Sequence, residues 1–254
     1  MNDFLSFLPA ADSNIHLALA MGAVVAAYAL FTLVGFGSAL LASGPLALVM
    51  PVAKVVPMLA ILDFAGSSLR GWQARKEVSW ADFRQLFPGM LLGQLIGVFL
   101  LAQIPAPVMA IVLGLFVVSQ GLRGLVRKGT PIRGRRSSGL AHGVFGGVLG
   151  GLFGSGGFVY ASYLERRLES RAAFRATQAV LIALSTSWRI VLCISVGLLD
   201  IKLTLTAMVF VPAMAIGIYI GHHIDLRMSR EQLFKLLNTL LFASGLSLIV
   251  RFLT

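Results

Sequence analysis

Cysteine and charged residues are scarce in this sequence of 254 residues. Cys193 is the only cysteine, which excludes an intrachain disulfide, a CxxC redox pair and a thiolate metal cluster. Charged residues make up 12% of the chain and hydrophobic residues 57%, which leaves too little polar sequence to cover a soluble domain of this size. The sequence therefore predicts an integral membrane protein.

The apolar residues form continuous runs, unlike the alternating segments of about ten residues that build an outer-membrane barrel. Most runs are long enough to cross about 30 Å of hydrocarbon as helices. We find eight, at roughly 15–50, 54–72, 85–103, 107–126, 139–164, 173–197, 203–222 and 232–253. This pattern predicts an all-α membrane protein.

Two of these segments contain the same glycine-rich run, Phe-Gly-Ser. It occurs at Phe36–Ser38 in the first segment and at Phe153–Ser155 in the fifth. The first segment is much too long for one span of about 20 residues, and the fifth is dense in glycine. Both segments are therefore predicted to be broken or re-entrant helical hairpins.

Basic residues cluster in the loops. Of the 21 Lys and Arg residues, 17 fall in four stretches, at 70–84, 123–136, 166–175 and 227–235. Lys and Arg in short loops collect on the cytoplasmic side. If the first and fifth segments are hairpins, all four basic stretches lie on the cytoplasmic side and both termini lie outside. Eight simple spans would instead put the two basic stretches that flank the fifth segment on opposite sides of the membrane. The formal net charge of +11 is thus explained by topology, and no nucleic-acid partner is inferred.

The two halves of the chain also resemble each other. The segments FPGMLLGQLIG at 87–97 and VPAMAIGIYIG at 211–221 share a Pro-x4-Gly-x3-Gly pattern, in which the paired glycines favour close helix packing. Each half has an odd number of passes if a hairpin counts as two, so the second repeat is inverted relative to the first. The predicted repeats cover 1–126 and 139–254, joined by a basic cytoplasmic linker at 127–138.

The two breaks indicate a binding site. Lipid cannot satisfy the backbone groups that a break frees, so breaks persist where they are buried in protein or line a wet cavity. In inverted-repeat transporters the N-termini of half-helices meet near the midplane and attract anions. We expect an anion site there, with the two serines as hydroxyl donors, formed by Gly35, Phe36, Gly37, Ser38, Gly154, Ser155, Gly156 and Gly157.

Two charged residues lie inside predicted spans, where charge is costly and usually functional. Arg189 is expected to contact the anion or to pair with an acid, in preference to anchoring at the inner face. Asp63 either carries a coupling proton or neutralises Arg189 or Arg70, and the sequence leaves these alternatives open.

Other polar residues in the spans have simpler interpretations. Gln94, Gln178 and Asn238 are expected to form interhelical hydrogen bonds. The histidines at 142, 222 and 223 lie near predicted helix ends and are expected to be solvated, because no other histidine lies at metal-ligand spacing. The sequence predicts no metal, no cofactor and no catalytic residue.

The chain resembles the TauE/SafE sulfite exporter family of bacterial membrane permeases. The resemblance covers nearly the whole chain and rests on VGFGSALLASGPLALVMP from Val34, the Pro-x4-Gly-x3-Gly segments and GLFGSGGF from Gly151. It implies a secondary transporter of the inner membrane that exports small sulfur-containing anions, such as sulfite or organosulfonates, and is driven by an ion gradient.

Other function classes remain as alternatives. A passive anion channel is compatible with the same features. A scaffold subunit would not require two matched breaks, and a membrane-embedded enzyme would need a nucleophile or paired acids, whereas the spans offer one Asp, one Cys and no HExxH. The expected partners are a small anion and the lipid bilayer, and a homodimer is compatible with the sequence.

Overall fold

The structure, a computed structural model, describes residues 13–34, 38–47, 50–126, 138–223, 238–239, 242–243 and 245–246. Its helices are α1 (Ser13–Val34), α2 (Ser38–Ala47), α3 (Val52–Gln73), α4 (Trp80–Gln103), α5 (Ala106–Val126), α6 (Gly139–Phe153), α7 (Gly156–Arg167), α8 (Arg171–Ser195) and α9 (Ile201–His223). No strand occurs in these ranges, which confirms the predicted all-helical class.

Several helices match the predicted membrane segments. Within the described residues, α3, α4, α8 and α9 are long and apolar enough to cross a bilayer, and shorter apolar stretches lie in α1, α2, α5 and α6. Residues 127–137 of the predicted linker and most of the eighth predicted segment lie outside the described residues.

Helices α4 and α6 pack along a seam of glycines. A Cβ atom on Gly93 would overlap the carbonyl of Val144, and one on Gly147 would overlap the carbonyl of Met90. The same relation recurs one turn away in each direction, with Gly89 beside Gly143 and Gly97 beside Gly151. Residue numbers rise together along the seam, so the two helices run parallel with their backbones in contact, as small-residue motifs permit.

The glycine seam predicts a specific stability defect. Gly93→Ala should destabilise the protein by about 1–3 kcal/mol, because the added methyl meets backbone that cannot move aside. Gly22→Ala is the matched control, since that glycine of α1 has no atom within 4 Å of an added Cβ. Thermal unfolding in detergent should therefore show a lower midpoint for Gly93→Ala alone, and equal midpoints would contradict this packing.

Helices α1 and α9 form a comparable pair. A Cβ on Gly217 would meet the carbonyl of Val25 at 2.5 Å, and one on Gly221 would meet the carbonyl of Ala29 at 2.6 Å. These helices also run parallel. The two Pro-x4-Gly-x3-Gly segments therefore use their glycines for packing, as predicted, each against the first helix of a glycine-interrupted pair.

Helices α6 and α7 run antiparallel to each other. Gly146 lies against Tyr160, and Gly150 lies close to Gly156 at the turn. At the other end of the pair, the Tyr163 hydroxyl donates to the side chain of Gln85 at 2.7 Å, and Gly139 lies beside the same residue. The start of α6 and the end of α7 therefore both lie next to the start of α4.

Helices α3 and α8 cross the bundle in opposite directions and bring the basic loops to one end. Gly71 lies against Val180, and the backbone N–H of Ser79 donates to Thr177 at 2.9 Å. Arg167 forms an ion pair with Asp82, and this hydrogen bond raises the pKa of the arginine. We call this end the basic end; its cations include Arg75, Lys76, Arg84, Arg166, Arg167, Arg171 and Arg175.

The short helix α2 lies in the centre of the bundle. Nine of its ten residues are buried, and its leucines belong to a large apolar core with residues of α1, α3 and α5. Its first residue, Ser38, points toward the middle of α3 and the turn between α6 and α7. Helix α2 therefore carries backbone and side chains into the interior, where the candidate site lies.

Candidate functional site

The turn between α6 and α7 falls on the second Phe-Gly-Ser run. Helix α6 ends at Phe153, and Gly154 follows in the left-handed region with φ of 71°, a conformation that favours glycine. Helix α7 begins at Gly156. The N–H groups of Gly154, Ser155 and Phe158 donate to nearby carbonyls. The N–H groups of Gly156 and Gly157 remain as donors at the positive end of the α7 dipole.

The start of α2 packs against this turn. A Cβ built on Gly154 would lie 2.7 Å from the Cβ of Ala39 and 2.9 Å from Nη1 of Arg189. The beginning of one short helix, the turn before another and a buried arginine therefore meet at one point. Gly35, Phe36 and Gly37 of the first predicted break lie outside the described residues.

Asp63 lies about halfway along α3 and is 3% exposed. Its Oδ1 atom accepts hydrogen bonds from the hydroxyls of Tyr28 and Ser38, each at 2.7 Å. Its Oδ2 atom lies 3.8 Å from Nη2 of Arg189, within ion-pair distance. The structure thus places Asp63 beside Arg189, one of the two arginines considered; the side chain of Arg70 lies outside the described residues.

Arg189 is the largest fully buried side chain of the described residues, at 2% exposure. Its Nη1 atom donates to the backbone carbonyl of Gly150 at 2.8 Å, next to the turn between α6 and α7. Its Nε atom is buried and has no hydrogen-bond partner in the described ranges. Because buried polar atoms are nearly always hydrogen-bonded, this free donor indicates a position for a ligand or a water.

These groups line a small cavity, which we call the central cavity. Its volume is about 20 Å³, which is enough for one water molecule. All described members of the predicted site line it. The wall comprises Phe31, Ser38, Leu40, Asp63, Gly150, Gly154, Ser155, Gly156, Gly157, Phe158, Ile182, Ser185, Thr186 and Arg189.

The two predicted serine donors are engaged with protein in this conformation. The Ser38 hydroxyl donates to Asp63, and the Ser155 hydroxyl donates to the carbonyl of Leu149 at 3.2 Å. Each hydroxyl has one hydrogen, so neither is free for a ligand unless it rotates. The wall residues also carry the Nε donor of Arg189 and the N–H groups of Gly156 and Gly157.

A second, larger cavity lies toward the basic end, and we call it the vestibule. Its volume is about 340 Å³. Its wall includes the end of α3 at Gln73, the start of α8 at Arg175 and the end of α9 at His222. Phe31 and Ile182 belong to the walls of both cavities, so they lie between the vestibule and the central cavity.

The sequence is similar to one family of known proteins over most of its length. A family model described as sulfite exporter TauE/SafE matches residues 19–248. The chain belongs to the TauE/SafE family. It is similar to the probable inner membrane transporter protein TsaS of Comamonas testosteroni, with 30% identity over 75% of this chain and 81% of that protein. It also resembles the probable sulfite/organosulfonate exporter TauE of Cupriavidus necator, with 24% identity over 75% of this chain and 77% of that protein. No solved structure matches.

Membership confirms the family that the sequence motifs indicated. As a TauE/SafE protein the chain is a membrane transporter, and its apolar helices agree with a multi-pass protein of the inner membrane.

Several residues in or behind the wall of this TauE/SafE cavity were not predicted. Tyr28 binds Asp63 from α1, and Ser185 and Thr186 line the cavity from α8. Ser185 precedes Arg189 by four residues, a spacing that places both on one helix face and could have indicated it. Tyr28 carries no such signal, because its role depends on how α1 packs against α3.

Two of the three side chains predicted to link helices do so, whereas two of the histidines predicted to be solvated bond to nearby backbone. Gln94 donates to Ser185, and Gln178 donates to the carbonyl of Gly157 at 2.6 Å, so both form the predicted interhelical hydrogen bonds. His142 and His223 bond to backbone carbonyls four residues earlier in the chain, at 3.0 and 2.9 Å.

Proposed function

We propose that this protein is a secondary transporter that exports small sulfur-containing anions of the sulfite or organosulfonate class. The observation that carries the proposal is the buried Arg189, with an unpaired Nε donor, in the wall of a cavity that also contains the start of α7. The similarity to the Cupriavidus protein, a probable sulfite/organosulfonate exporter, supports the substrate class.

An anion that enters such a cavity must recover the hydration it loses. That loss amounts to several kcal/mol in a low-dielectric interior. The Arg189 guanidinium supplies charge and directed N–H groups, and Gly156 and Gly157 add backbone donors at the positive end of the α7 dipole. Glycine at these positions lets a ligand approach the backbone closely.

We propose further that α6 and α7 form a re-entrant hairpin and that α1 and α2 form its inverted counterpart. The antiparallel packing of α6 on α7, and the meeting of α2 with their turn, support this arrangement. The anion site would then lie near the midplane, between two helix breaks, with the basic end facing the cytoplasm.

Asp63 is proposed to carry the coupling proton. In the described conformation Asp63 and Arg189 neutralise each other, so an added anion leaves the site with a net negative charge. A proton on Asp63 removes that excess charge and releases Arg189 to the anion. Proton and anion then cross the membrane together, so a pH gradient drives the anion out of the more acidic side. At about 4 Å and an effective dielectric near 20, the Coulomb attraction between Asp63 and Arg189 is roughly 4 kcal/mol. This attraction is comparable to the cost of desolvating the two charges, so an anion can replace Asp63 as the partner of Arg189.

The size of the central cavity favours a carrier over an open channel. A cavity for one water cannot hold an anion with several oxygen atoms, and Phe31 and Ile182 line both this cavity and the vestibule. Transport therefore requires the helices around the cavity to move, which is the behaviour of an alternating-access carrier.

Flux in proteoliposomes tests the proposed function. Radiolabelled sulfite and a short sulfonate should move across the membrane faster with a pH gradient than without one, and sulfate serves as the comparison anion. Equal flux with and without the gradient would indicate the passive channel. Absence of flux for all three anions would overturn the proposed function.

Topology can be tested with single cysteines in a Cys193→Ser background. Ala141→Cys and Ala172→Cys occupy exposed positions in the first turns of α6 and α8, and neither should react with a membrane-impermeant thiol reagent added outside. Ile201→Cys, 80% exposed at the opposite end of the bundle, is the control and should react. Labelling of one alanine position but not the other would contradict the hairpin.

A further inference from the structure

Ser185 lines the central cavity, and the bond it accepts from Gln94 uses only part of its hydrogen-bonding capacity. The residue is 6% exposed, lines the cavity and lies one turn before Arg189 on the same face of α8. Its Oγ atom accepts a hydrogen bond from the side-chain amide of Gln94 on α4. A hydroxyl has two acceptor positions and one hydrogen, so the bond from Gln94 occupies one acceptor position and leaves the hydrogen to be donated.

The hydroxyl of Tyr160 lies beside Ser185 and can hydrogen-bond to it. This hydroxyl is buried, and its hydrogen-bonding neighbour is the hydroxyl of Ser185, to which it can donate or from which it can accept. If Tyr160 donates to the second acceptor position of Ser185, both lone pairs of that oxygen are filled. The hydroxyl hydrogen of Ser185 is then left to be donated into the cavity.

We propose that Ser185 donates a hydrogen bond to the transported anion and that Gln94 and Tyr160 are positioning residues that direct this donor. An anion accepts the hydrogen more strongly than a neutral group does, and donation into Ser185 Oγ polarises its O–H bond further. Together with Arg189 and the start of α7, Ser185 gives the site donors on several sides, which suits an anion with several oxygen atoms. This inference rests on the proposed function.

Anion affinity measured by calorimetry in detergent tests the inference, with sulfite and methanesulfonate as probes. Ser185→Ala should weaken binding about tenfold or more, the range for a lost hydrogen bond to a charged group, and Ser185→Thr should retain most of it. Ser195→Ala is the matched control, because that serine lies on the same helix and donates to the carbonyl of Leu192 in its own helix. It should bind as the wild type does.

The positioning role predicts non-additive losses. Gln94→Leu and Tyr160→Phe should each weaken binding several-fold, and neither should weaken it further once Ser185 is alanine, because both act through that hydroxyl. Losses that simply add would indicate structural effects and overturn the positioning role.

The outcomes separate this inference from the proposed function. Wild-type affinity in folded Ser185→Ala would overturn the role of Ser185 and leave the anion site at Arg189 intact. Absence of binding of either probe to the wild-type protein would overturn both.

Discussion

Arg189→Ala should lower the affinity for sulfite or a short sulfonate by about 100-fold, the effect expected when one partner of a buried, hydrogen-bonded charge pair is removed. Arg189→Lys should lose less, because lysine keeps the charge but lacks the planar guanidinium fork. The measurement is calorimetric titration in detergent, with each variant first checked for folding.

A control is needed because Arg189→Ala also leaves Asp63 buried without its cation, which destabilises a protein by about 3–5 kcal/mol. The Asp63→Asn/Arg189→Ala double variant removes both charges and should recover stability without recovering anion affinity. Wild-type affinity in either folded variant would contradict the proposed role of this arginine.

Asp63→Asn should abolish gradient-driven export while exchange of the anion at equal pH continues. Asparagine keeps an oxygen that can accept the hydrogen bonds from Tyr28 and Ser38, but it cannot take up and release a proton. Proteoliposome flux with and without a pH gradient separates the two activities. The anion should also raise the unfolding temperature of this variant, because it supplies the negative charge that Arg189 no longer receives from Asp63.

Asp82→Asn is the matched control for this experiment. Asp82 is also a buried acid paired with an arginine, but it lies at the basic end with Arg167 and outside the central cavity. Gradient-driven transport should survive in Asp82→Asn. Loss of both driven export and exchange in a folded Asp63→Asn protein would indicate that Asp63 is a structural ion-pair partner.

The sequence allowed the helical class and the family to be predicted, and it marked some of the residues that line the central cavity, because each depends on local patterns. Long apolar runs require helices in lipid, and the second Phe-Gly-Ser run coincides with the end of α6 and the beginning of α7. Arg189 and Asp63 stood out because buried charge is costly.

The pairings between helices could not be predicted in the same way. The contact of Asp63 with Arg189 was one of several alternatives, and the bonds from Tyr28 to Asp63 and from Gln94 to Ser185 join residues 35 and 91 positions apart. Such contacts depend on the register of one packed helix against another. The glycines of α4 and α6 set that register through backbone contact, and the local pattern around each glycine does not specify its partner.

The central claim is that the transported anion binds between Arg189 and the start of α7. A structure of the protein with 2-bromoethanesulfonate tests it most directly, because the anomalous signal of bromine locates the ligand independently of the protein density. We expect sulfonate oxygens within hydrogen-bond distance of the Arg189 guanidinium, in a cavity that has widened, with Asp63 farther from Arg189 than its present 3.8 Å. A ligand bound elsewhere, with Arg189 still held by Asp63 and the Gly150 carbonyl, would contradict it.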